Sequence, residues 1–280
     1  MRSHAVVVGG GRMGSGIAQV LLTAGYRVQV VEAGDSAIER AKESVLQGLS
    51  KASQHGSLPG SLEELMGSVD FLSALSGIDP QASLLIEAVP EELSLKQEVL
   101  SHVEDLVGIG CLIATNTSSL SIDQLASVLS VKGRFLGLHF FNPVPVSDLV
   151  EVVVGSHTEE DALDRAVSLV HELGKKEIVV RDSPGFATSR LGVALGLEAI
   201  RMLEEGVARA EDIDRAMELG YKHPMGPLRL TDLVGLDVRL AIAEHLKETL
   251  GDRFEPPRLL REKVARGELG RKSGKGFYDW

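Results

Sequence analysis

The sequence predicts an α/β protein, a mostly parallel sheet wrapped by helices and followed by an all-helical part. Three observations predict it. Short β-branched runs alternate with helical patterns through the first half, a glycine-rich turn joins the first run to the first helix, and the β-rich runs stop after Asp182-Ser-Pro-Gly185. At roughly 150 residues per domain, a chain of 280 residues holds two medium domains. With 44% hydrophobic and 25% charged residues, its composition is that of a globular protein with a core, which excludes a disordered or membrane-embedded class.

In order, the strand candidates are Ala5–Val8, Arg27–Val31, Leu84–Ile86, Cys111–Ala114 and Arg134–Phe141, joined by crossover helices. Ile38, Ala41, Val45 and Leu49 recur at helical spacing, as do Leu95, Val99, Val103 and Leu106, so both stretches read as amphipathic helices on a sheet. The first of these helices starts near Asp35 and ends in the loop from Gly56 to Gly60, which contains Pro59. After Glu177-Ile-Val-Val180 the turn at 182–185 sets a boundary, giving domains 1–182 and 183–280. Beyond it, Leu191, Ala194, Leu195, Ala199 and Met202 share one helix face. The stretch from Leu228 to Leu246 is apolar on more than one side, which predicts packing against the first domain or a second copy of the chain.

Charge narrows the partners. The chain has 29 basic and 40 acidic residues, a net charge of -11, and only 4% aromatic residues, so generic nucleic-acid binding is disfavoured. No apolar run approaches the roughly 18 residues of a membrane span, and the first strand starts too close to Met1 to leave room for a targeting peptide. The lone Cys111 makes neither an internal disulfide nor a cysteine metal cage, and the histidines show no metal-ligand spacing. These features predict a cytoplasmic protein without a metal.

Gly9-Gly10-Gly11-Arg12-Met13-Gly14 fits G-x-G-x-x-G, follows the Val6–Val8 strand and opens a helix carrying Ile17, Val20 and Leu21. In such a turn Gly9 permits the tight bend, Gly11 lets backbone approach a pyrophosphate, and Gly14 allows close packing of helix on strand. Glu32, at the end of the second strand, accepts hydrogen bonds from ribose hydroxyls and repels a 2′-phosphate; no arginine follows in Ala33-Gly-Asp35. The first domain therefore reads as Rossmann-like and the cofactor as NAD, not NADP. A glycine turn selected only for packing is the structural alternative.

His139 lies in Phe135-Leu-Gly-Leu-His-Phe-Phe-Asn142, an otherwise apolar strand. An ionisable ring there needs a partner. If the chain turns back through Pro143-Val-Pro-Val-Ser147, Glu151 stands as far from Pro145 as His139 does, and the two side chains share one face. A carboxylate on one ring nitrogen would fix the tautomer and stabilise the imidazolium formed when the other accepts a proton. A satisfied core histidine is the alternative. Asn116-Thr-Ser118-Ser119 follows a strand where open α/β sheets meet ligands, and reads equally as a turn or cap. Glu91 and Lys96 read as an exposed first helical turn, and the closely spaced glycines from Gly270 to Tyr278 suggest a defined backbone path.

These residues together resemble the 3-hydroxyacyl-CoA dehydrogenase family. The resemblance runs through Val8 to Gly14, Glu87-Ala88 to Lys96, Asn116 to Leu120, Leu138 to Val146, Leu149 to Val152, Asp182 to Arg190, Met225-Gly-Pro227 and Gly274-x-Gly-Phe-Tyr278. It implies that His139 is the base and Glu151 its orienting carboxylate. It further implies that Ser118 contacts both the reacting oxygen and the cofactor, that Asn142 lies near the nicotinamide and substrate, and that Ala88, Glu91, Lys96 and Lys272 contact NAD. The substrate would be an acyl-CoA and the assembly a homodimer.

The chain departs from the family pattern in three places. Ser189, before Arg190, stands where the family has an asparagine, and the resemblance carries that position into the catalytic set. On the long helix after Glu32, Gly48 and His55 replace an expected serine and lysine, leaving Lys51 as the candidate phosphate contact, with an exposed helix lysine as the alternative. An NAD-dependent dehydrogenase of a free hydroxy acid such as carnitine or a sugar acid therefore remains a second reading. A non-catalytic dinucleotide-binding structural protein is a third, opposed by the retained Ser118, His139 and Glu151.

Overall fold

Ala5, Val6 and Val7 are fully buried, as a strand covered by helices on both faces requires. In the computed structural model, which describes residues 3–280, they belong to β1 (His4–Val8), the centre of the sheet. It is followed by α1 (Arg12–Thr23), β2 (Arg27–Val31), α2 (Asp35–Gln54), α3 (Leu62–Met66), β3 (Val69–Leu72), β4 (Leu84–Glu87) and α4 (Leu93–Leu106). Next come β5 (Leu112–Thr115), α5 (Ile122–Ala126), β6 (Phe135–Phe140), β7 (Leu149–Val154), α6 (Glu160–Glu172) and β8 (Lys176–Arg181). The eight strands form one sheet in the order β3-β2-β1-β4-β5-β6-β7-β8. All neighbours pair parallel except β6 and β7, so the α/β, mostly parallel character read from the sequence is the observed one.

The chain steps outward from β1 to β2 and β3, then returns to place β4 on the other side of β1. Such a reversal opens a crevice at the carboxyl ends of the two central strands, where Gly9 and Ala88 begin their loops. The edge strand β3 was not among the sequence candidates. Only Val69 of its four residues is buried, so it lacks the apolar run that marks the inner strands.

Contacts divide the chain into two units, the first ending at Asp182 and the second running from Ser183 to Trp280. The second is helical: α7 (Thr188–Glu204), α8 (Ala210–Arg215) continuing into a π turn at Ala216–Gly220, α9 (Pro227–Val234), α10 (Leu236–Leu250) and α11 (Arg258–Ala265). Val193, Leu197, Ile200, Leu228, Leu236 and Leu246 form part of its core. The apolar stretch from Leu228 to Leu246 is two helices, broken at Gly235, whose φ of 105° belongs to glycine. Two helices with different axes explain an apolar pattern that no single face accommodates.

Two buried acids in this unit hold the tail. Asp232 accepts hydrogen bonds from the Phe277 and Tyr278 amides and the Trp280 indole at 2.8, 2.9 and 2.8 Å, and Tyr278 donates its hydroxyl to Asp214 at 2.7 Å. The glycines from 270 onward thus follow a defined path. Among the described residues no helix is long and apolar enough to cross a membrane.

Candidate active site

The glycine turn is shaped by what its missing side chains would strike. A Cβ on Gly14 would lie 1.7 Å from the Gly9 carbonyl oxygen, and one on Gly9 would lie 2.7 Å from the Ala88 backbone. A Cβ on Gly11 meets nothing within 4 Å, so that side of the turn is open. Gly11 caps α1 without a side-chain hydrogen bond, which leaves the first amides of α1 for a ligand. Glu32 binds the turn from β2: its Oε1 accepts from the Gly10 amide at 2.7 Å and its Oε2 from the Ala33 amide at 3.1 Å. A carboxylate retains further lone pairs for ribose hydroxyls, so these residues fit a dinucleotide with a free 2′-hydroxyl.

At the end of β4 lies a buried ionic cluster. Lys96 is 1% exposed, and its ammonium donates to Glu87 at 2.7 Å and to the Val89 carbonyl at 3.2 Å, with Glu91 at 3.4 Å. The exposed first turn read from the sequence is therefore corrected for Lys96: a lysine side chain long enough to reach back under the strand end exchanges water for two carboxylates. Glu87, fully buried, also accepts from Thr115 and from the Val89 amide. One oxygen of Glu91 gathers the next loop, accepting from Thr117 Oγ1 at 2.7 Å, the Ser118 amide at 2.8 Å and Ser118 Oγ at 3.2 Å. Burial pushes the Glu91 carboxyl up, but the Lys96 ammonium and the bonds from Thr117 and Ser118 outweigh it and hold it below its ordinary value.

The antiparallel pair places His139 directly opposite Glu151. Nδ1 of His139 lies 2.7 Å from Glu151 Oε2, the Glu151 side chain is fully buried, and that of His139 is 8% exposed. Phe141 packs against the imidazole with ring centroids 4.5 Å apart. Asn116 ties the neighbouring loop to this strand by accepting the Phe140 amide at 2.9 Å. Lys175 secures the connection between β6 and β7, donating to the Val144 and Ser147 carbonyls at 2.7 and 2.6 Å. Burial lowers the pKa of this ammonium, partly opposed by Asp148.

Beside that connection α1 and α2 enclose a cleft of about 740 Å³. Asn142 and Val144 line one side, Arg12 and Gln19 come from α1, and Lys51 and His55 from α2. No carboxylate lines it. Lys51 is exposed on α2, whereas Ser189 and Lys272 lie in the second unit, Ser189 in the first turn of α7 and Lys272 in contact with Asp237 of α10. Among the described residues no cluster of metal-ligating side chains occurs. Sequence reasoning missed Glu87, Lys175 and Gln19 as part of this region. Glu87 and Gln19 sit inside apolar runs as polar exceptions, a signal available in the sequence; Lys175 carries none.

A glycine turn at the switch point of a parallel sheet, an acid ending the second strand and a buried histidine–carboxylate pair define a nicotinamide-dependent dehydrogenase. Residues 4–183 match the 3-hydroxyacyl-CoA dehydrogenase NAD binding domain and residues 185–280 the C-terminal domain of the same family. The chain belongs to the 3-hydroxyacyl-CoA dehydrogenase family. It is 40% identical over 278 residues to the 3-hydroxybutyryl-CoA dehydrogenase of Mycobacterium tuberculosis, covering 98% of this chain and 97% of that one. To the probable 3-hydroxybutyryl-CoA dehydrogenase of Deinococcus radiodurans it is 38% identical over 275 residues, covering 98% and 99%. The solved (S)-3-hydroxybutyryl-CoA dehydrogenase of Ralstonia eutropha superposes with a TM-score of 0.94 at 38% identity, over 100% of this chain and 99% of that one.

Proposed function

We propose that the protein interconverts a 3-hydroxyacyl-CoA and its 3-oxoacyl-CoA with NAD as hydride carrier. The observation that carries this reading is the buried His139–Glu151 pair at 2.7 Å. In the oxidative direction the substrate 3-hydroxyl gives its proton to Nε2 of His139, because Nδ1 is committed to Glu151. NAD, which the Gly9–Gly14 turn and Glu32 would hold, would supply the acceptor for the C3 hydride as the C–O bond becomes a carbonyl. Glu151 balances the imidazolium, and in the reverse direction the protonated His139 returns the proton.

Ser118, held in place through Glu91, contacts the reacting oxygen, and Asn142 lies near the nicotinamide and the substrate. Gly9, Gly11, Arg12, Met13, Gly14, Glu32 and Ala88 form the dinucleotide crevice, with Lys96 acting through Glu91 and its loop. Lys51 meets a phosphate of the CoA moiety in the acid-free cleft. Residues 1–182 serve as the cofactor-binding domain, and residues 183–280, with Ser189 and Lys272, complete substrate and cofactor binding and form a homodimer. The protein works in the cytoplasm.

The test follows loss of NADH absorbance with acetoacetyl-CoA and, in parallel, with free keto acids. Turnover confined to the CoA ester is expected; turnover of a free keto acid alone overturns the reading in favour of a hydroxy-acid dehydrogenase. Absence of turnover with any of them overturns both.

A further inference from the structure

We propose that Gln19 is a specificity-determining residue, its side-chain amide pairing with an amide of the substrate's pantetheine arm. The proposal rests on the reading of the substrate as a CoA ester. Gln19 lies on α1, is 7% exposed and lines the cleft. No described residue hydrogen-bonds its amide. The residue is nearly buried while its amide is left open to the cleft, so the cleft is suited to a group that offers an acceptor and a donor at one point.

Gly48 on α2 makes room for it. A Cβ there would lie 2.2 Å from Gln19 Oε1 and 2.9 Å from Cδ. Glycine inside a helix is unfavourable, and this one, without a positive φ, has no turn to justify it. Its lack of a side chain leaves the space in which the amide lies. The cleft then offers two chemistries. Arg12 and Lys51 offer charge suited to phosphates, while Gln19 offers a neutral donor and acceptor. A CoA ester presents that same combination, phosphates followed by a neutral arm carrying two amides, whereas a free hydroxy acid has neither.

The experiment compares kcat/KM for acetoacetyl-CoA, acetoacetyl-pantetheine, the S-ethyl thioester of acetoacetate, and free acetoacetate. Gln19→Leu is expected to lower the ratio of the pantetheine ester to the S-ethyl ester about ten-fold, the value of one hydrogen bond lost in a buried setting. Gly48→Ala keeps Gln19 but displaces its amide, and should lower the same ratio while the helix gains stability. That combination separates a lost contact from a damaged fold, since thermal stability holds or rises as discrimination falls. An unchanged ratio in either folded variant overturns the proposal. Wild-type protein that prefers free acetoacetate to the CoA ester overturns the substrate reading, a failure visible before any variant is made.

Discussion

Replacing Glu151 with glutamine keeps the shape of the site and removes its charge. The carboxylate is fully buried and 2.7 Å from His139 Nδ1, so little water screens it. At an effective dielectric constant of about 20, a unit charge at that distance stabilises an imidazolium by about 6 kcal/mol before desolvation is counted. Measured losses on breaking buried charge pairs are about 3–5 kcal/mol, and that smaller figure is the appropriate one because it is the observed cost of leaving one charge buried without its partner. At about 1.4 kcal/mol per decade it converts to a loss of roughly a hundred- to several thousand-fold in kcat. Glutamine is isosteric and still hydrogen-bonds at the same place, so His139 keeps its position: the variant should bind NADH as the wild type does by fluorescence titration, while stopped-flow absorbance shows the slowed hydride step. A kcat within three-fold of wild type would refute the assignment of Glu151 as counter-charge.

Three further outcomes are expected. Gly14→Ala should abolish NADH binding, because its Cβ would fall 1.7 Å from the Gly9 carbonyl oxygen, and calorimetric titration reads this directly. For Glu91 the folded pKa lies below the unfolded one, so its contribution to stability is present above the ordinary carboxylate range and is lost as pH falls through the folded value. Glu91→Gln should accordingly lower the urea midpoint at pH 7 and flatten its decline in acid; an unaltered pH dependence would contradict the coupling to Lys96. Burial raises the Cys111 thiol to about 11, against the opposing influence of Arg134 and Arg165, so at pH 8 it stays protonated. A thiol reagent should label it only at the rate of unfolding, and rapid labelling of the native protein would be inconsistent with its burial.

The inner sheet and the pairing of His139 with Glu151 were legible because each rests on a local rule. Val6 to Val8 and Gly9 to Gly14 carry period and turn chemistry in adjacent residues, and the equal distance of His139 and Glu151 from Pro145 is a consequence of antiparallel geometry, matched by the observed register. What escaped depends on distance in sequence or on the absence of a pattern. Lys96 looks like any helix-surface lysine until β4 brings Glu87 under it. β3 is recognisable only from its pairing with β2, since Asp70 interrupts its short apolar run and only Val69 is buried. The stretch from Leu228 to Leu246 read as one apolar pattern, and the positive φ of Gly235 shows that it separates α9 from α10. Gln19 stands out as a polar residue in an apolar run and Gly48 as a glycine inside a helix, but that the two fit each other is a complementarity between two helices that spacing along the chain does not reveal.

The acid-free cleft stands against a chain whose net charge is -11. Near field and far field therefore have opposite signs for a polyanion. Ions at physiological strength damp fields beyond about 8 Å, which silences the distant carboxylates, while Arg12 and Lys51 on the cleft wall keep most of their pull on any polyanion that enters it. Dilute buffer lets the repulsive envelope extend outward, and is the least favourable medium for loading such a ligand, the reverse of the behaviour of basic proteins that collect phosphates.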